Sequence, residues 1–232
     1  MAASAGGLTS LLDSAAWSQQ AYPSRTIKLI VPYPAGGTTD LLGRMVADQF
    51  KAGLNATCIV ENKPGAGTTL GADQVAKSEP DGYTLLMATS TTLAINKTLY
   101  KKLPYDPVKD FTPIALLAGV PFALIVNPML PAKTLAEFIA YAKQNPGKLN
   151  YGSSGQGSTV HILTESFRHA AGIDIVHIPY RGAGPSLGGL LAGDIEILID
   201  TVVVPHVQAG RLIGLAAAGD ARLPELPDLP TL

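Results

Sequence analysis

The side chains able to do chemistry in this chain are mostly hydroxyls, and they gather with glycines where apolar runs end. IKLIV (27–31) gives way to PYPAGGTTD (32–40), and TCIV (57–60) gives way to ENKPGAGTT (61–69). LNYGSSGQGST (149–159) opens into VHILTESFRHAAG (160–172), and IDIVHIPYRGAGPS (173–186) opens into LGGLLAGD (187–194). A strand that enters a helix through such a loop presents unpaired backbone N–H groups and the positive end of the helix dipole. A carboxylate taken out of water loses much of its hydration energy unless hydrogen bonds replace it. Backbone donors at Gly36, Gly37, Gly67 and Gly157 are suited to this, because glycine lets a ligand come close to the chain. Hydroxyls at Thr38, Thr39, Thr68, Ser90, Ser153, Ser154, Ser158 and Thr159 add further donors. Together these loops predict an anion pocket built largely without charged side chains.

Tyr180 and Arg181 stand at the end of the run IVHIPY, where a ligand of an α/β protein would sit. Arg181 is the one cation in these loops and reads either as a charged hydrogen-bond donor or as a solvated surface residue. Asp40 and Thr159 read equally well as helix caps and as ligand contacts. Motifs for catalysis are missing. There is no G-x-x-x-x-G-K-[ST], and neither GAGTTLG (65–71) nor GSSGQGS (152–158) has the G-x-G-x-x-G spacing. YGSSGQ (151–156) fails the nucleophile-elbow pattern, because Gln156 stands where the last glycine belongs. His161, His169, His177 and His206 show no metal-ligand spacing. His161 reads as a structural histidine, since a general base there has no visible nucleophile to serve. The sequence therefore points to a binding protein rather than an enzyme, with no cofactor and no metal.

The elements that must position these loops follow from periodicity. Ile27–Val31 reads as a strand, with Thr38, Thr39 or Asp40 capping a helix that runs to about Lys51. Thr57–Val60 is a second strand, followed by a helix over about Thr69–Ser78. YTLLMAT (83–89) is a buried strand pattern. IALLAGVPFALIVNP (114–128) reads as two strands broken at Val120-Pro121. A helix over LPAKTLAEFIAYAKQNPG (130–147) is capped by Thr134 and Glu137 as a capping box and stopped by Pro146-Gly147. IEILID (195–200) is another buried strand, and PHVQAGRLIGLAAAG (205–219) holds a short helix and a strand. Strands alternating with helices predict an α/β fold with largely parallel sheets. The prolyl, charged stretch 96–113 reads as a crossing between two lobes.

Composition agrees. Hydrophobic residues make up 47% and charged residues 15% of 232, which is globular rather than disordered. Seventeen basic against eighteen acidic residues remove the electrostatic case for nucleic acid as a partner. The single cysteine, Cys58, permits no intrachain disulfide, which suits a cytosolic or a periplasmic chain. Residues 1–21 are rich in Ala and Ser and lack Lys and Arg. They resemble the end of a secretory signal peptide without its basic n-region, with Ala21 or Ala16 as the cleavage position.

In order, YPSRTIKLIVPYPAGGTTD, ENKPGAGTTLGADQVAKSEPDGYTLL, LPYDPVKDFTPIALL, LNYGSSGQGSTVHILTESF, VHIPYRGAGPSLGGLLAGDIEILID and PHVQAGRL resemble the substrate-binding proteins of tripartite tricarboxylate transporters, the Bug receptors. The resemblance covers Tyr22 to Leu232. It implies a periplasmic, non-enzymatic receptor of the two-lobe, Venus-flytrap kind that closes on a small carboxylate. The implied partners are the membrane subunits of such a transporter, or alternatively a sensor protein that reads the ligand state. By this resemblance the ligand is met by Pro34, Ala35, Gly36, Gly37, Thr38 and Thr39 and by Gly65–Thr68 from the first lobe. The second lobe adds Ser153–Thr159, the turn at Tyr180, Arg181 and Gly182, and Asp200. The lobes are expected over 22–104 plus 219–232 and over 105–218. Family members continue past LPDLPTL, so the first lobe is expected to be incomplete.

Overall fold

In the computed structural model, residues 21–232 are described; the expected signal segment lies almost wholly outside them. Two sheets carry the fold. The first contains β1 (Ile27–Val31), β2 (Cys58–Asn62) and β3 (Thr84–Leu86) in the order β2-β1-β3, all parallel. The middle strand IKLIV is the most apolar, and Ile27, Leu29, Ile30 and Val31 are buried, as a strand covered on both faces requires. Helix α1 (Thr38–Leu54) follows β1, and α2 (Thr69–Ala76) follows β2 through a short 3₁₀ turn at Ala66–Thr68. Gly43 lets α1 lie close to the sheet, for a Cβ there would stand 2.9 Å from Val31 Cγ2.

The second sheet has the order β6-β5-β7-β4-β8, built from β4 (Phe122–Val126), β5 (Asn150–Ser153), β6 (Val176–Pro179), β7 (Ile197–Asp200) and β8 (Ile213–Ala218). β5 runs parallel to β6 and β7, while β4 is antiparallel to β7 and β8. The fold is thus α/β with one wholly parallel and one mixed sheet. Helices α4 (Leu135–Gln144), α5 (Thr159–Ala171) and α6 (Ala183–Ala192) and the short α7 (Val204–Gln208) cover this sheet. Its two faces are dry. Phe138, Tyr151, Ile197 and Ile199 lie in one cluster, and Ile125, Leu190, Ile195 and Leu198 in the other.

Several expectations need correction. Residues 114–121 form no strand, because they pair with no neighbour among the described residues; Leu116 is 94% exposed. The strand expected over 83–89 shortens to Thr84–Leu86. The crossing at 96–113 opens with a helical turn, α3 (Asn96–Leu99), after a turn of π-helix at Thr91–Ile95. In the capping box, Thr134 Oγ1 accepts the Glu137 N–H at 3.2 Å, but Glu137 reaches back to the N–H of Lys133 at 2.7 Å rather than to that of Thr134. Residues 219–232, expected on the first lobe, pack on the second sheet. Ala217 N–H donates to Pro230 O, Leu232 N–H donates to Ala217 O, and Leu223 is buried in the second sheet's core. Their leucines find the apolar face of that sheet at the end of β8, with no crossover needed.

Phe138 is wholly buried and stacks against Phe167 with ring centroids 6.2 Å apart. Phe138→Ala is expected to cost about 3–5 kcal/mol. A urea titration followed by far-ultraviolet circular dichroism reads this as a lowered midpoint.

Candidate functional site

The carboxyl ends of β1, β5, β6 and β7 lie along one end of a cleft of about 1410 Å3, the position where open α/β sheets hold ligands. The cleft extends over an apolar face of the first sheet and α1 (Leu42, Val46, Phe50, Leu85) to the segment 107–122. Three helices begin at the cleft. α1 starts at Thr38, α5 at Thr159 and α6 at Ala183, and all three residues line the cleft. The first-turn N–H groups of a helix have no partner within it and carry the positive end of its dipole. Gly37, at the N-cap of α1, has an ordinary extended backbone (φ −85°), and a Cβ there would stop 4.0 Å from Ala183 Cβ of the other side. Gly182 faces Pro34 in the same way, at 3.1 Å from its Cγ.

Hydroxyls meet across this boundary. Thr38 Oγ1 and Thr201 Oγ1 are 2.6 Å apart. Thr159 Oγ1 lies 2.9 Å from both Ser90 Oγ and Thr91 Oγ1, and the Thr159 N–H donates to Thr91 Oγ1 at 3.1 Å. No Lys, Arg or His lines the cleft among the described residues; its ionisable side chains are Glu79, Asp110 and Asp200, besides the Tyr33 phenol.

Two buried carboxylates mark the site, in opposite electrostatic states. Asp40 on α1 accepts from the Gly36 N–H at 2.9 Å, from Asn62 Nδ2 at 2.9 Å and from Arg44 Nε and Nη2 at 3.0 and 3.1 Å. Burial opposes its charge, but the bonds from Arg44, Gly36 and Asn62 outweigh it and hold the carboxyl below the usual range. Asp200 closes β7. Its Oδ1 accepts the N–H groups of Thr201 at 2.6 Å and Val202 at 3.3 Å, while Oδ2 is buried with no hydrogen-bond partner among the described residues. Burial pushes its pKa up against those two N–H bonds.

Of the residues expected from sequence, Pro34, Ala35, Gly37, Thr38, Thr39, Ser90, Ser154, Thr159, Gly182 and Asp200 line the cleft. The others point elsewhere. Gly36 does not line it; its N–H is spent on Asp40. Thr68 Oγ1 is buried and bonded to Thr92 Oγ1 and Asn96 Nδ2, and the Tyr100 hydroxyl lies over Gly67. Ser153 Oγ turns inward to His177 Nε2 at 2.6 Å. Ser158 caps α5, accepting the His161 N–H at 3.3 Å, and Leu99 covers Gly157. Tyr180 packs into the second sheet's core, over Gly189. Arg181 is exposed and outside the cleft. Gly37, rather than Thr38, Thr39 or Asp40, occupies the N-cap of α1. Sequence reasoning missed Thr91 and Thr201, whose only signal was a hydroxyl just beyond a strand run.

Residues 42–232 match the family described as the tripartite tricarboxylate transporter family receptor. Protein BugT of Bordetella pertussis is 38% identical over 220 residues, covering 93% of this chain and 67% of that protein. The structure of R. palustris Rpa4515 with adipate superposes with a TM-score of 0.88 at 38% identity, over 91% of this chain and 71% of that one. MatC (Rpa3494) of Rhodopseudomonas palustris with bound malate gives 0.84 at 34% identity, over 90% and 72%. The chain belongs to the tripartite tricarboxylate transporter receptor family, whose members are substrate-binding receptors rather than enzymes, and membership implies the periplasm. It spans about two thirds of the length of the curated relatives it matches.

Asp40→Asn is expected to lose about 1–3 kcal/mol at neutral pH, because the charge-assisted bonds to Arg44 and Gly36 go with the carboxylate. A carboxyl held below its ordinary value of 3.8 contributes stability above that pH and loses it as pH falls through its folded pKa. The parent therefore weakens more steeply than the variant below about pH 4, which urea midpoints measured along a pH series resolve.

Proposed function

We propose that this chain is a periplasmic receptor that captures a small carboxylate in the cleft and delivers it to the membrane subunits of a tripartite transporter. One observation carries the reading: three helix starts and a set of hydroxyls converge on a cleft that has no cationic side chain among the described residues. Such a lining replaces the hydration of an anion with oriented dipoles and leaves the rest of the ligand to be read by shape. The relatives solved with adipate and with malate hold ligands of this class. Thr38, Thr39, Ala183 and Gly184 offer first-turn amides, while Ser90 and Ser154 offer hydroxyls. Residues 22–104 and 105–218 act as the two lobes, and the Thr38–Thr201 and Ser90–Thr159 pairs join them when the cleft narrows.

Asp200 has a role of its own in this reading. In its protonated form, which burial favours, Oδ2 donates a hydrogen bond to a ligand oxygen. As a carboxylate it accepts from a ligand hydroxyl. A micromolar receptor needs about −8 kcal/mol, which a few charge-assisted hydrogen bonds in a desolvated cleft supply.

Purified protein titrated with adipate and malate tests this. At a hundredfold excess over Kd a ligand adds about 2.7 kcal/mol, an increase of roughly 5–10 °C in Tm for a chain of this size. Gly37→Phe places a ring between Gly37 and Ala183 without straining the backbone, so the protein folds and the shift disappears. If a broad panel of di- and tricarboxylates, acidic amino acids and aromatic acids gives no shift, the receptor reading fails.

A further inference from the structure

Behind the loop that brings Ser154 and Thr159 to the cleft, three rings form a triangular cluster with near-parallel planes, Tyr151 and His161 lying 6.4 Å apart. Tyr151 of β5 stacks on His177 of β6 with centroids 4.8 Å apart and planes 20° apart. His177 stacks in turn on His161 of α5 at 4.0 Å and 19°. Both imidazoles also grip the loop. His177 Nε2 is 2.6 Å from Ser153 Oγ, which accepts the Gly155 N–H at 3.1 Å. His161 Nδ1 accepts the N–H of Gly157 at 3.1 Å. An amide N–H only donates, so Nδ1 bears a lone pair and the neutral ring keeps its proton on Nε2.

A proton added to Nδ1 would set a donor against a donor. It would also place a cation against the face of His177. The loop carries restraints of its own, Ser158 N–H to Gly155 O at 3.1 Å and Tyr180 N–H to Ser153 O at 3.0 Å. Gly155 and Gly157 nevertheless both sit at positive φ (131° and 75°), a path that the contacts around them must hold.

We propose that His161, with His177 stacked on it, is a positioning residue of the cleft: its uncharged ring clamps the Ser153–Thr159 loop in the form that receives the ligand, so acid loosens the loop and releases the ligand. The inference rests on the reading of the cleft as a carboxylate site.

The charged groups around the pair support a neutral resting state. Tyr151 donates its hydroxyl to Glu165 Oε1 at 2.6 Å, and Glu165 is also paired with Arg168, which lies 3.9 Å from Asp174. Glu165 attracts a proton to the imidazoles, yet its charge is already shared between Arg168 and Tyr151. Burial pushes both rings down, His177 to about 4 with the help of His161. Both are therefore neutral at pH 7. The stability that a depressed histidine contributes is complete above its unfolded pKa and is lost as pH falls through its folded one.

Nuclear magnetic resonance on the full chain tests the clamp directly. Between about pH 7 and pH 4, the Gly157 amide signal is expected to move with the same midpoint as the His161 ring. A Gly157 amide indifferent to that midpoint overturns the proposal. Binding of malate or adipate supplies the second readout. In the parent, affinity falls about ten-fold for each pH unit below the His161 midpoint. His161→Gln keeps an acceptor for Gly157 but does not titrate, so it binds better than His161→Phe at neutral pH and has a flatter pH profile than the parent. What slope remains in His161→Gln belongs to Asp200 and to the ligand. Equal slopes in parent and His161→Gln overturn the clamp. If neither acid binds at any pH, the binding arm passes to the wider acid panel, whose failure is what overturns the carboxylate reading, and the co-titration of Gly157 with His161 decides the clamp by itself.

Discussion

The Asp40 carboxylate ties together the parts of the first sheet that form its side of the cleft. It lies under the first turn of α1 and is reached by donors from three places: the loop after β1, the next turn of α1 and the end of β2. A buried carboxylate is tolerable only when its oxygens are occupied, so the loop at Gly36 cannot move without leaving a charge unsatisfied. Asn62 doubles the restraint by also donating to Tyr33 O at 3.0 Å, inside the same loop. The first turn of α1, which lines the cleft at Thr38 and Thr39, is thereby fixed by a charge that lies outside the lining.

The opposite wall is organised differently. Its loops are held by hydroxyls and imidazoles rather than by ion pairs, and its own buried acid, Asp200, is half satisfied. Asp40 with its guanidinium partner and Asp200 without one show how the same side chain is driven to opposite protonation behaviour by its surroundings. The side-chain hydrogen bonds between the two walls join threonine and serine hydroxyls, which can either donate or accept. Such contacts can be exchanged for contacts to an oxygen-rich guest at little cost, whereas a buried ion pair across the gap would resist reopening.

Much of this was legible in the sequence, and the exceptions have a common cause. The strand Ile27–Val31 and the start of α1 follow from a local signal, an unbroken apolar run and a glycine turn, and the structure has both. Three of the four Gly/Ser/Thr loops contribute residues to the cleft, as parallel strands that put their following loops on one side suggest, whereas the loop after β2 contributes none. Which hydroxyl faces the cleft did not follow. Thr38 and Thr68 look alike in sequence, but Thr68 is captured by Thr92 and by Asn96, 28 positions away. Ser153 is captured by His177, 24 positions away. Partners at that separation leave no local pattern. Residues 114–121 failed for the related reason that a strand exists only with a neighbour to pair with. The leucines of 219–232 could serve either sheet, and only the position of β8 decides between them.

On the carboxylate reading, a cleft lining without Lys, Arg or His among the described residues bears on the kinetics of capture. Attraction between full charges draws partners together over a Debye length and fades as electrolyte is added, whereas dipoles at helix ends act only at short range. A chain with a net charge of −1 offers an approaching acid no long-range pull. Encounter is then left to diffusion and fit, and retention to local geometry. A protein built this way would work alike in dilute and in saline surroundings, which suits a compartment whose salt content follows the outside medium.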